Sequence, residues 1–180
     1  PTASTPAAQG EYIWASNKVA AATVANVTQY SFFNPVGSGK TAVIKRLAIR
    51  TNATTTAAYS SYQFRRLSAA SGGTLLATDD LPKKHTGSAT SSMEVRWCLF
   101  ACTSAITATY VGDANAKLLS VTSPGAVGQT IGQAEVVFGE NEKIILQPGE
   151  GIGLYNDVLT SSAAQAVKIL IEWDEEASTP

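Results

Sequence analysis

The protein is a chain of 180 residues, of which 44% are hydrophobic and only 15% are charged, with a formal net charge of -1. This hydrophobic content excludes wholesale disorder, and a chain of this length buries a core large enough for a single domain without metal or disulfide staples. The near-neutral charge provides no electrostatic field for phosphate backbones, so we expect no nucleic-acid partner.

The residues at the two ends of the chain are small and polar. The first ten, PTASTPAAQG, lack the basic and apolar regions of a signal peptide. We predict a flexible N-terminal arm over residues 1–10, a β-sandwich domain over residues 11–176 and a loose C-terminus over residues 177–180. No run of 18 apolar residues occurs, so we expect no membrane partner, and we expect synthesis in the cytoplasm.

Apolar residues recur at every second position along most of the chain, which is typical of half-buried β-strands. In chain order, the segments with this pattern are EYIWAS, TQYSFF, TAVIKRLAIRT, YSSYQFRRL, SSMEVRWCLFA, AEVVF, KIILQ, GIGLYN and QAVKILIEW. Strict alternation in TAVIKRLAIRT places on one face Val43, Lys45, Leu47 and Ile49. The apolar face of SSMEVRWCLFA then consists of Met93, Val95, Trp97, Leu99 and Ala101.

Three segments between these strands need a separate interpretation. KVAAATVANV, residues 18–27, has the alanine content of a helix, whereas its threonines and valines favour a strand. DDLPKKHTGSATSS, residues 79–92, is polar and predicts an exposed loop. The tripeptide PGE, residues 148–150, predicts a tight turn between two strands.

Many short strands at spacings of about ten residues or more predict the fold class: an all-β, single-domain, jelly-roll-like β-sandwich with loose termini. Aromatic residues are frequent in the first third of the chain. We expect them to pack in the core or at a subunit interface, and a sugar-binding platform is the alternative. These residues are Tyr12, Trp14, Tyr30, Phe32, Phe33, Tyr59, Tyr62 and Phe64.

The segment NPVGSGKT, residues 34–41, ends like the phosphate-binding loop G-x-x-x-x-G-K-[ST]. Its last three residues fit that pattern, but Asn34 occupies the position of the first glycine. The loop also needs a following helix, whose N-terminal amides hold the phosphates, and AVIKRLAIR is instead a predicted strand. We therefore interpret the segment as a strand–turn–strand in which Pro35 fixes φ and two glycines, Gly37 and Gly39, adopt positive φ.

No other group of residues has a catalytic pattern. The sole histidine, His85, lies in the polar loop, where we expect a solvated imidazole. Asp79 and Asp80 are adjacent, so on a strand they would point to opposite faces, unlike a paired-carboxylate site. We expect no catalytic residue, no cofactor and no metal ligand.

The two cysteines, Cys98 and Cys102, are expected to be small buried thiols. On one strand they would lie roughly 13 Å apart, too far for a disulfide, whose Cα atoms are about 5.5 Å apart. Acidic residues near the C-terminus are expected to form a solvated face, with cation binding as the alternative. These residues are Glu172, Asp174, Glu175 and Glu176.

Three segments together resemble a group of small tailed-bacteriophage proteins. They are YSFFNPVGSGKTAVIKRLAI, LQPGEGIGLY and the terminal VKILIEWDEE. In that group an aromatic-N-P-x-G-S-G-K-x stretch runs into an apolar strand, and a P-G-E-G turn and a strand ending in W-[DE]-E come near the C-terminus. The resemblance covers the two outer thirds of the chain and leaves residues 55–140 unmatched.

The resemblance implies a jelly-roll-like virion component on the capsid surface. Such a decoration or cement protein binds the major capsid protein and stabilises the shell, and a homotrimer is the oligomer that the resemblance favours. It also supports the interpretation of GSGKT as a turn that enters a strand, and it implies no enzymatic activity. The alternative is a host-recognition or carbohydrate-binding module of a head or tail fibre.

Overall fold

Two antiparallel β-sheets pack face to face in this protein, whose structure is a computed structural model. The structure describes residues 10–16, 26–53, 60–77, 81–98, 105–112, 117–123, 132–139, 141–159 and 165–177. Within these ranges the chain contains strands and no helix, which confirms the all-β sandwich expected from the sequence. The choice between helix and strand for residues 18–25 lies outside the described residues.

Twelve strands occur within the described ranges. They are β1 (Gly10–Ala15), β2 (Val27–Asn34), β3 (Lys40–Ala53), β4 (Ser60–Gly72), β5 (Thr74–Leu75), β6 (Glu94–Trp97), β7 (Ile106–Tyr110), β8 (Lys117–Ser123), β9 (Gly132–Val137), β10 (Ile144–Leu146), β11 (Glu150–Leu159) and β12 (Gln165–Ala177). All nine predicted segments correspond to strands, and β5, β7 and β8 were not predicted. Strands β1 and β12 each extend one residue beyond the predicted limits of 11–176.

The first sheet is built around the long strands β3 and β12. Strand β12 pairs with β1 on one side and with β3 on the other, and the far edge of β3 pairs with both β9 and β10. The inward face is apolar, and its centre is Trp173, whose ring stacks on Tyr12 at 5.2 Å and meets Phe32 edge-on at 4.7 Å. Since Phe32 lies in β2 of the second sheet, this aromatic cluster joins the two sheets.

A β-bulge in β3 changes the face assignment that strict alternation predicts. The register between β3 and β12 shifts at Lys45, so that Ile44 and Leu47 are both buried in the core. Lys45 instead forms an ion pair with Asp174 on β12. The prediction that Lys45 shares a face with Leu47 and Ile49 is therefore wrong, because one extra residue in a strand inverts the alternation beyond it.

The strand pairings of the second sheet form a closed circuit. Strand β11 lies between β2 and β4, and β4 continues through Gly72 and Gly73, both with positive φ, into β5. Strand β5 pairs with β6, which pairs with β2, while β7 and β8 pair along the other edge of β4. The circuit closes where β7 also pairs with β2, at Thr28 and Ile106. Glycine suits the bend between β4 and β5 because other residues rarely adopt positive φ.

Strand β7 extends over the side of the second sheet that faces away from the core. The Tyr110 hydroxyl lies 2.7 Å from Thr28 Oγ1, and the guanidinium carbon of Arg65 lies 4.4 Å from the centre of the Tyr110 ring. Burial raises the pKa of Tyr110 to about 12. Strand β2 is buried along nearly its whole length, including Gln29, Ser31 and Phe33, rather than half-buried.

Most of the aromatic residues expected in the core or at a subunit interface are buried within the chain. Seven of the eight are buried, namely Tyr12, Trp14, Tyr30, Phe32, Phe33, Tyr62 and Phe64. Tyr59 lies outside the described residues. A sugar-binding platform made of these seven rings is excluded, because stacking on a sugar requires an exposed ring face.

The strand predicted over residues 91–101 is shorter than expected. Met93 and Val95 are buried, and Trp97 packs partly buried against the same core, as the alternation predicts. Strand β6 ends at Trp97, and the next residue, Cys98, is disulfide-bonded. The expectation of a free Cys98 thiol is wrong, because it assumed that one extended strand continues through residue 102. The predictions for Leu99, Ala101 and Cys102 lie outside the described residues.

Candidate functional site

The NPVGSGKT segment connects β2 in the second sheet to β3 in the first sheet. Gly37 and Gly39 have φ values of 84° and 65°, and the Ser38 amide donates a hydrogen bond to the Pro35 carbonyl at 3.1 Å. Lys40 begins strand β3, so no helix follows the glycines. This geometry confirms the predicted strand–turn–strand and provides no helix N-terminus for a phosphate.

The QPGE turn connects β10 in the first sheet to β11 in the second sheet. The Glu150 amide donates to the Gln147 carbonyl at 3.0 Å, and Gly149 has a φ of 91°. Proline followed by a glycine with positive φ is the arrangement of a type II turn. The Glu150 carboxylate also accepts a hydrogen bond from the Gln147 amide at 2.9 Å, which closes the turn from its other side. The tight turn predicted for residues 148–150 is confirmed.

Asn34 joins these two turns into one unit. Its side-chain nitrogen donates to the Lys40 carbonyl at 2.8 Å and to the Leu146 carbonyl at 3.0 Å. Its main-chain carbonyl accepts the Gly149 amide at 2.7 Å. Asn34 is fully buried, so these bonds are shielded from competing water. We call residues 34–41 and 146–150 together the paired turns.

The paired turns present an apolar tip to solvent. Val36 is 83% exposed, and its side chain lies beside Gly149 of the second turn. Ile145, which immediately precedes the second turn, is 45% exposed. An ion pair at 3.8 Å between Arg66 and Glu150 lies beside this tip. The arrangement is a rigid, hydrogen-bonded projection with a small apolar end.

The four acidic residues near the end of β12 differ in burial: Glu176 is exposed, Glu172 and Asp174 are partly buried, and Glu175 is not solvated at all. Glu175 is fully buried, and its carboxylate accepts hydrogen bonds from the Ser91 hydroxyl, from the Ser92 amide and hydroxyl, and from the Trp173 indole. Because the carboxylate points into the sandwich, alternation along β12 places Asp174 on the outer face. The prediction is wrong for Glu175, whose donors all come from the protein itself.

The neighbouring carboxylates on the outer face are paired with lysines. Asp174 forms an ion pair with Lys45, and Glu172 forms one with Lys84 from the loop over residues 81–93. The hydrogen bond to Asp174 raises the pKa of Lys45 above its usual value, and burial opposes this rise only in part. The pair between Lys84 and Glu172 ties the polar loop to the first sheet.

The remaining predicted candidates are not assembled into a catalytic group. His85 is largely exposed, as expected, and its Nε2 lies 3.5 Å from the Glu11 carboxylate. The polar loop around it is exposed over residues 82–87, but Leu81, Ser88 and Ser91 are buried. Asp79 and Asp80 lie outside the described residues. Within the described ranges, no three histidine, cysteine or acidic side chains are grouped as metal ligands would be.

Comparisons with protein-family models, with curated proteins and with solved structures gave no match. In the part of the chain that the structure describes, no helix has the length and apolar character needed to cross a membrane. The paired turns are the feature in which motifs recognised in the sequence form one ordered arrangement in the structure. In them the Asn34 side-chain nitrogen is hydrogen-bonded inside the protein, and apolar side chains, Val36 and Ile145, face outward.

Proposed function

We propose that this protein is a structural component of a tailed-bacteriophage virion, a capsid decoration or cement protein without enzymatic activity. It binds the major capsid protein on the outer shell and stabilises the particle. The observation that carries the proposal is the joining of the two phage-like turn motifs, NPVGSGKT and QPGEG, by the buried side chain of Asn34. Two of the three segments that carry the resemblance thereby form one surface.

The paired turns suit adhesion to a protein shell. A rigid projection loses little conformational entropy on binding, and the exposed Val36 contributes apolar area at the point of contact. The turn itself has no charged side chain between Asn34 and Gly39, so contact there would bury no unpaired charge. We infer that this tip contacts the shell.

A homotrimer of about 56 kDa, made of three 18.8 kDa chains, is part of the proposal. The apolar residues between positions 11 and 33 do not support a trimer. Tyr12, Trp14 and the side chains of β2 are already buried within one chain and need no partner subunit to cover them. The resemblance is the remaining support for the trimer. Light scattering coupled to gel filtration tests the trimer, and a monomer of about 19 kDa at micromolar concentration would contradict it.

The burial of the aromatic rings argues against the alternative function, a carbohydrate-binding module of a fibre. A carbohydrate-binding module stacks sugars on exposed aromatic rings, and the aromatic rings of the first third of the chain that the structure describes are buried. A glycan array distinguishes the two functions, since a cement protein binds shells and ignores sugars.

The decisive experiment is rebinding to phage particles from which the protein has been stripped. We expect the wild type to rebind and Val36→Asp to rebind at least about tenfold more weakly, because a charge would enter the apolar contact. Val137→Asp is the matched control, since Val137 is 66% exposed on β9, away from the paired turns. Failure of the folded wild type to rebind, together with glycan binding, would overturn the cement function in favour of the fibre module.

A further inference from the structure

A pocket of about 190 Å³ lies on the outer face of the first sheet, away from the paired turns. Its floor consists of small and apolar residues, and long charged side chains stand around it. The pocket exists because Ala48 on β3 and Ala15 on β1 are short, whereas their neighbours project further from the sheet. The charged lining residues are Arg46, Arg50, Glu135 and Lys168.

Some charged side chains around this pocket are paired with an opposite charge, and others are not. Arg46 and Glu135 form an ion pair at 2.7 Å. Arg50 and Lys168 lie directly opposite each other on β3 and β12, and both are exposed. In the described part of the chain, neither has a carboxylate within ion-pair distance. Like charges directly opposite in an antiparallel pair destabilise a sheet, so this pair is unfavourable within the protein alone.

We propose that this pocket binds a carboxylate side chain presented by an acidic segment of a partner protein. The Arg50 guanidinium has the planar fork that binds a carboxylate through two hydrogen bonds, and Lys168 adds a second positive charge. Ala48 and Leu170 leave an apolar floor for the short aliphatic stem of an aspartate or glutamate. The Glu135 carboxylate, on the other side of Ala48, repels the ligand carboxylate toward Arg50 and Lys168.

The occupant is a side chain of a larger partner rather than a free small acid. A site that binds a small molecule tightly encloses most of its surface, and a pocket of this size open to solvent does not. Ion pairs between exposed groups are individually weak, and two of them are not enough to hold a free acid. The same contacts suffice for an acidic segment, because several neighbouring carboxylates on one chain raise the effective concentration at the site. This inference goes beyond the proposed virion function and does not depend on it.

The test uses a fluorescein-labelled hexaglutamate peptide, with anisotropy measured at roughly 50 mM and 300 mM salt. We expect the wild type to bind the peptide and to lose affinity as salt rises. Arg50→Glu and Lys168→Glu should each weaken binding by about tenfold or more. Lys83→Glu is the control, because it makes the same change in net charge in the exposed stretch of the polar loop. It should change binding by less than about twofold.

Stability provides a second measurement that does not use a ligand. Arg50→Gln should leave the melting temperature unchanged or raise it, because the substitution removes a like-charge contact. A clear decrease would assign the pair a structural role and overturn the binding site. The proposal also fails if the folded wild type does not bind the peptide, or if Lys83→Glu weakens binding as much as Lys168→Glu. Acetate binding as tight as that of the peptide would overturn the assignment to a partner protein.

Discussion

Trp173 and Glu175, two residues apart on β12, are hydrogen-bonded to each other inside the core. The indole N–H of Trp173 donates to Glu175 Oε1 at 3.1 Å, and both side chains are fully buried. The same carboxylate receives the Ser92 amide at 3.0 Å and the hydroxyls of Ser91 and Ser92. One buried carboxylate thus connects the core of the first sheet to the end of the polar loop, just before β6.

We expect Glu175→Gln to lower the free energy of unfolding by about 2–4 kcal/mol, because an amide nitrogen would replace an oxygen that accepts hydrogen bonds in a buried site. Urea denaturation measures the change. Glu176→Gln is the matched control, since Glu176 is the exposed neighbour, and its effect should remain within about 0.5 kcal/mol. Equal effects at the two positions would contradict the inward orientation of Glu175.

Asn34→Ala should also destabilise the protein, by about 2–3 kcal/mol, because the Lys40 and Leu146 carbonyls would lose their buried donor. Ser38→Ala changes the same turn at a half-buried hydroxyl and should cost about 1 kcal/mol or less. Urea denaturation of both variants checks the prediction. A loss for Ser38→Ala as large as that for Asn34→Ala would mean that Asn34 does not hold the two turns together.

Stability should decrease in alkaline solution as the pH rises from about 10 toward 12. Burial, and to a lesser degree the Glu175 carboxylate, raises the pKa of Tyr12 from 10.0 to about 12. The unfolded chain therefore releases this proton near pH 10, whereas the folded protein retains it, so deprotonation favours unfolding in this interval.

The measurement for this prediction is the free energy of unfolding at a series of pH values in that interval. Tyr12→Phe removes the hydroxyl that donates to the Ala89 carbonyl at 2.7 Å, so the variant should be less stable at every pH. Its stability should nevertheless decline less steeply with pH, because Tyr110 then remains as the tyrosine with a pKa of about 12. Identical slopes for the two proteins would show that Tyr12 titrates normally.

Lys40→Ala should leave the fold nearly unchanged, and we expect no nucleotide binding by the wild type or by this variant. Lys40 is the first residue of β3, and the turn before it lacks a helix N-terminus. Isothermal titration with ATP and magnesium should give no binding to either protein. Micromolar affinity in the wild type that disappears in Lys40→Ala would overturn the interpretation of GSGKT as a turn.

The sequence predicts the strands and the turns of this fold better than it predicts which way individual side chains face. Gly37, Gly39 and Gly149 are recognisable because positive φ is a local property of a turn. The bulge at Lys45 is not recognisable, since it depends on the register with β12, more than 120 residues away. Strands β7 and β8 were missed because their pattern of alternation is weak and their pairing with β4 is a long-range contact.

In the candidate site, too, the local turns were predictable from the sequence and the long-range contacts were not. Both turns were predicted separately, but their joining by Asn34 requires the two sheets to be in place, so only the resemblance pointed to a common role. The inward orientation of Glu175 was obscured by its three acidic neighbours, which suggest a solvated segment. A buried carboxylate is recognisable only when its donors on the polar loop are known.

The position of β12 between β1 and β3 has a consequence for biosynthesis. Apart from the β-bridge between Tyr12 and Lys83, the described part of the chain offers β1 no strand partner until residues 165–177 have left the ribosome, which takes on the order of ten seconds at normal rates of translation. During that interval the edges of β1 and β3 that pair with β12 remain open to chaperones and to other nascent chains. Because Gly10 lies opposite Glu175, a short linker suffices to join β12 directly to β1. A circular permutant that begins at β12 would form this pair as a local hairpin, so it should aggregate less while it is being synthesised.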